Sequence, residues 1–114
     1  MVASKSTSAY SLVWTDTFSR TARKFLRRHP ELADLFKNVL HLLETDPQTP
    51  QLHLHSLKGR HQGKYAVRIN YEYRIVLLLK IIDREVILLD VGSHDEVYYN
   101  EMSDIPKLLS GAAK

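Results

Sequence analysis

The chain has 114 residues, 44% of them hydrophobic, with 16 Lys and Arg against 13 Asp and Glu, a formal charge of +3 and no cysteine. That length and hydrophobic fraction describe one domain with a core and exclude a disordered chain. Lack of cysteine excludes disulfides, thiolate metal sites and a cysteine nucleophile and suits the cytoplasm; the mild basic excess permits a polyanionic partner without requiring one.

Residues 1–9 are small and polar and read as a flexible tail before a domain over residues 10–114. Met1–Ser8 has no apolar core of the kind a signal peptide needs. Tyr10–Thr15 alternates as a strand, with Tyr10, Leu12 and Trp14 on one face. Asp16 or Thr17 then caps a helix in which Phe18, Ala22, Phe25 and Leu26 form one apolar stripe. Its other side carries Arg20, Arg23, Lys24, Arg27 and Arg28. His29-Pro30 breaks this helix, and Pro30 suits the first position of the next. Leu32, Leu35, Phe36, Val39, Leu42 and Leu43 carry that second helix to about Thr45, where Asp46-Pro47 ends it. Two amphipathic helices with a short connection predict an antiparallel pair.

Gln48–Gln51 reads as a loop, and Leu52–Leu57 as a short strand or an extended lead-in. In Tyr65–Asn70, Tyr65, Val67 and Ile69 face one way, while Ala66, Arg68 and Asn70 face the other. Tyr73–Ile82 is almost wholly apolar and reads as a central strand. Its apolar run is interrupted by Lys80 and is too short to span a bilayer. A turn at Asp83-Arg84-Glu85 leads back through Val86–Gly92, making an antiparallel hairpin. Asp104–Leu109 is expected to form a short helix. Helices grouped ahead of a run of strands predict an α+β sandwich: a curved, mainly antiparallel sheet with the helical pair on one face. The other face stays at least partly open, and Arg68 projects there.

Two features bear on chemistry. Lys58, Arg60, Lys64, Arg68 and Arg74 cluster with Glu72 as the only acid among them. Such a cluster is either a solvated surface or a phosphate track, and Tyr71, Tyr73, Tyr98 and Tyr99 offer faces for unpaired bases. For Tyr73, on the apolar strand, a core role is the stronger reading. The second feature is His94, which follows Gly92-Ser93 where the last strand runs out. It is a group suited to proton transfer near neutrality. His53 and His55, if both lie on a strand, share a face. Without a third soft ligand nearby they make a poor metal site, and no cofactor is expected.

In Leu57-Lys58-Gly59, Tyr65-Ala66-Val67-Arg68-Ile69, Tyr73-Arg74-Ile75-Val76 and Gly92-Ser93-His94, the chain resembles the RelE/ParE toxin superfamily of type II toxin–antitoxin systems. It is most similar to the RelE, YoeB and YafQ branches, over about Leu12 to Tyr99. The resemblance implies a metal-independent endoribonuclease that cleaves mRNA on the ribosome by 2′-hydroxyl attack and is neutralised by a cognate antitoxin in a hetero-oligomer. It implies a phosphate-stabilising role for Arg68 and a general acid or base role for His94. His55 and Glu72 match active-site positions of the YafQ-like pattern, and Tyr98 matches an aromatic after the histidine. Lys58, Arg60, Lys64 and Arg74 would bind RNA. The YafQ-like pattern has histidine where Arg68 stands, which leaves the division of acid and base between His94, Glu72 and His55 open. A ParE-like gyrase inhibitor and an inactive, antitoxin-binding relative are the alternatives on this scaffold.

Overall fold

The computed structural model describes residues 9–59 and 62–93. Arg60, His94, Tyr98 and the helix expected at Asp104–Leu109 lie outside them. The described elements run β1 (Ser11–Trp14), α1 (Asp16–Arg28), α2 (Ala33–Thr45), β2 (His55–Ser56), β3 (Tyr65–Arg68), β4 (Tyr73–Lys80) and β5 (Glu85–Ser93). They form a five-stranded sheet in the order β1-β5-β4-β3-β2. β1 lies parallel to β5, and the other neighbours are antiparallel. This is the α+β arrangement that the order of elements predicts, with the apolar β4 at the centre of the sheet.

The helix caps differ from the sequence expectation. Thr15, not Asp16 or Thr17, caps α1. Its hydroxyl accepts the Phe18 N–H at 3.2 Å and donates to the Leu88 carbonyl at 2.7 Å. One hydroxyl satisfies a helix donor and also ties the helix start to β5, which a carboxylate that can only accept cannot do. Asp16 falls instead in the first turn, where its charge complements the helix dipole. Pro30 opens a 3₁₀ turn over Pro30–Leu32 rather than α2, because its carbonyl takes the Ala33 N–H three residues on. Asp46 ends α2 as expected, its Oδ1 accepting the Gln48 N–H at 3.1 Å. The loop expected at Gln48–Gln51 contains a second 3₁₀ turn, Pro50–Leu52.

The main core lies between the helices and one face of the sheet. Phe18, Ala22 and Phe25 from α1 meet Phe36, Val39 and Leu43 from α2 over Val67, Ile75, Leu77, Val86 and Leu88. The Phe36 ring lies 6.2 Å from Phe18 and 5.7 Å from Phe25, joining the two helices through aromatic contact. Leu35, grouped by spacing with the apolar stripe, is exposed. Trp14 stays 45% exposed while its ring meets Phe18 edge-on at 4.8 Å.

Two strand boundaries also move, and β5 carries a bulge. β3 stops at Arg68, because the Asn70 Oδ1 accepts the N–H groups of Glu72 and Tyr73 and folds a turn where a strand would continue. β4 stops at Lys80, since Lys80 pairs with Glu85 and the turn is therefore Ile81–Arg84. Arg84 adopts φ +56° there, and Ile82 is left 95% exposed. In β5 the register jumps from Val76↔Asp90 to Leu77↔Leu88, so Leu89 is an extra residue. The Val91 N–H is taken by the Asp90 carboxylate at 2.8 Å. This bulge lets Val86, Leu88 and Val91 all reach the same core despite their uneven spacing.

Candidate nucleic-acid interface

The sheet face away from the helices carries a small apolar cluster of Leu57, Ala66 and Val76, with Leu89 packed against it. Beyond that cluster the face turns polar. Ala66 and Arg68 alternate with the buried Val67, and Arg68 stands directly across from Arg74 of β4. His55 pairs across from Ala66, on the same side as Arg68. The three converge with His53 and Leu54 around one open groove of about 740 Å³, counting space that opens to solvent. Of the residues expected at a site, His55, Arg68 and Arg74 are therefore brought together by three adjacent strands.

His55 is held in a defined orientation. Its Nδ1 lies 3.0 Å from the His53 carbonyl, which can only accept, so Nδ1 carries the proton. In the neutral ring this leaves the Nε2 lone pair free to act. His53 itself is not on a strand: it closes the Pro50–Leu52 turn in the left-handed region, at φ 51° and ψ 46°. A shared His53/His55 strand face is thus replaced by a backbone-to-ring contact. Among the described residues no group of three or more His, Cys, Asp or Glu is placed to hold a metal ion.

Arg74 is more than a surface cation. Its Nη1 donates to the carbonyls of Asn70 at 3.1 Å, Tyr71 at 3.1 Å and Tyr73 at 3.3 Å, pinning the β3–β4 turn while it borders the groove. Glu72 is exposed on that turn and does not line the groove. Lys58 is exposed in the loop after β2, and Lys64 is half-buried where its carbonyl accepts the Leu57 N–H at 2.9 Å. Gly59 and Gly63 both take positive φ, +66° and +98°, as the turns of this loop require. Tyr71 is 87% exposed on the turn beside Arg74, an available stacking face. Tyr73 belongs to the other side, its ring 5.2 Å from Phe25 and 4.7 Å from His29, as its apolar strand suggests.

The sequence did not single out His53 as an orienting residue. The only local sign is the preceding Pro50 turn, and histidine is one of the few non-glycine residues enriched in left-handed backbone.

A helix pair on one face of a five-stranded sheet and a histidine–arginine groove on the other define a small α+β domain. The sequence model described as "Bacterial toxin of type II toxin-antitoxin system, YafQ" matches residues 10–99, and the chain belongs to that family. Among solved structures, a copper-bound mutant toxin from Helicobacter pylori is 31% identical, with a TM-score of 0.61, covering 76% of this chain and 97% of that one. YafQ from Escherichia coli is similar in fold at 15% identity and a TM-score of 0.66, over 78% of this chain and 98% of that one. The toxin in the Escherichia coli DinJ–YafQ toxin–antitoxin complex gives 16% identity and a TM-score of 0.65, over 79% and 98%. No curated protein sequence matches.

Proposed function

We propose that this toxin is an endoribonuclease that cleaves mRNA on the ribosome through the groove on the open face of its sheet. The observation that carries the reading is the convergence of His55 and Arg68 there, with His55 held in the tautomer that exposes Nε2. In this mechanism His55 Nε2 takes the proton of a 2′-hydroxyl as its oxygen attacks the adjacent phosphorus. A new phosphorus–oxygen bond forms to the 2′ position while the bond to the 5′ oxygen breaks. The products are a 2′,3′-cyclic phosphate and a free 5′-hydroxyl. His94, which follows Ser93 in sequence, is the proposed general acid that protonates the departing 5′ oxygen. Arg68 stabilises the charge gathered on the phosphoryl oxygens. Glu72 is left a supporting role outside the groove.

Lys58, Arg60, Lys64 and Tyr98 would hold the RNA beside these groups, while Arg74 shapes the groove through the turn it pins. The chemistry needs only these side chains. A cognate antitoxin, as in the DinJ–YafQ complex, is the proposed partner that silences the protein in the cytoplasm. The test is induction in a cell lacking the antitoxin, with RNA ends mapped in ribosome-bound and free mRNA. The expected result is growth arrest and new 5′-hydroxyl ends within translated codons. Intact mRNA with inhibited DNA supercoiling would replace the reading with gyrase inhibition.

A further inference from the structure

A second cationic recess lies on the opposite side of the sheet end from the groove. It encloses about 410 Å³, counting space that opens to solvent, between the C-terminal half of α1 and the ends of β4 and β5. Thr21, Lys24 and Arg28 rim it from one strip of α1, at the three- and four-residue spacing that places side chains along one helix face. Its floor is aromatic: Phe25 meets Tyr73 edge-on at 5.2 Å, and the His29 ring lies 4.7 Å from Tyr73. His29 Nδ1 is 3.5 Å from the Glu31 carboxylate, so Glu31 steadies the histidine from outside the lining residues.

Arg27 and Arg28 both fall in the last turn of α1, where cations complement the helix dipole, but only Arg28 also rims the recess. Lys24 and Arg28 line the same recess as the rings of Phe25, His29 and Tyr73. Cations beside aromatic rings are the elements that hold a single-stranded nucleic acid, the cations for phosphate and the rings for base or sugar. The recess is also continuous with the groove along the chain. Tyr73 lines the recess and its neighbour Arg74 lines the groove, so one dipeptide of β4 straddles the sheet end between them.

Resting on the RNA-cleaving reading above, we propose that the Lys24/Arg28 recess is a second RNA subsite, which takes the phosphate and base of a nucleotide outside the cleaved step. The strand runs from the groove over the sheet end at Tyr73-Arg74 and anchors behind it. An acidic peptide segment would satisfy the two cations but makes less use of the three rings.

The test is binding of a fluorescent, 2′-O-methylated single-stranded RNA, which cannot be cleaved, across a range of salt. Three proteins are compared: the wild type, Lys24→Gln/Arg28→Gln, and Arg20→Gln/Arg27→Gln, which removes the same charge from α1 outside the recess. All four positions are exposed, so both variants should melt like the wild type. The subsite predicts that the recess pair loses about tenfold in affinity and that its salt slope falls by roughly 0.7, the share of the one phosphate held there. The control pair should stay close to the wild type. Equal behaviour of the two pairs, with wild-type binding intact, overturns the subsite and leaves the groove reading standing. RNA binding unchanged in the recess pair but antitoxin affinity lost overturns it in favour of a protein occupant. Absence of RNA binding by the wild type overturns the subsite, while the cleavage reading stands or falls on the mapped RNA ends.

Discussion

The two faces of the sheet are built from the same strands and differ in almost every physical respect. On the covered face, Val67, Ile75, Leu77, Val86 and Leu88 are buried against two helices. On the open face, Ala66 of β3 and Val76 of β4 join Leu57 in a small buried apolar cluster, and beyond it two arginines face each other across the ladder. Like charges directly opposite on paired strands disfavour the fold. Their presence on this face, and the burial of the core on the other, separates a supporting side from the side proposed to act on RNA. Arg74 lessens the conflict by turning its Nη1 into backbone carbonyls, which leaves Arg68 as the cation presented to the groove.

Substitutions on the two faces should therefore part stability from activity. The largest loss of stability should come from Phe36→Ala, which removes the ring between Phe18 and Phe25; about 3–5 kcal/mol is expected, read from a denaturant melt. Arg68→Gln should leave that melt within about 0.5 kcal/mol. Its cost should fall on cleavage instead, by roughly a hundred- to a thousandfold, as for loss of one transition-state donor. Comparable loss of stability in both variants would dissolve the distinction. Arg74→Gln lies between the two: about 1.5–3 kcal/mol of stability from lost charged hydrogen bonds, with an accompanying fall in cleavage as the turn loosens. The smallest effect should be that of His53→Gly, which retains the left-handed backbone and its carbonyl and should keep most of the activity. His53→Val disfavours that conformation and should lower the cleavage rate more than His53→Gly does.

Much of this division is legible in the sequence. The alternation of Tyr65–Asn70 placed Arg68 opposite Val67, and the apolar run from Tyr73 marked the central strand. The helical stripes of Phe18, Ala22, Phe25 and of Phe36, Val39, Leu43 predicted the covered face. What periodicity could not supply was set by single side chains acting on backbone. Thr15 took the cap because it also reaches Leu88, seventy-three positions away in sequence. Asn70 ended β3 by capturing two N–H groups. The Leu89 bulge moved Val91 into the core, which a strict period of two would forbid. At the site, alternation marked Arg68 and the family resemblance marked His55, but their convergence depends on the β2–β3 pairing, and the orienting role of His53 depends on a left-handed φ that no pattern encodes.

The central claim is that His55 Nε2, exposed by the His53 carbonyl, is the base of an RNA-cleaving groove. It is tested most directly by the single-turnover rate of mRNA cleavage on programmed ribosomes for His55→Ala beside the wild type, with melting curves on the same samples. The account predicts a rate lower by about a hundred- to ten-thousandfold, the contribution of a positioned acid or base, with the melting curve unchanged. A His55→Ala protein that cleaves at the wild-type rate would contradict it.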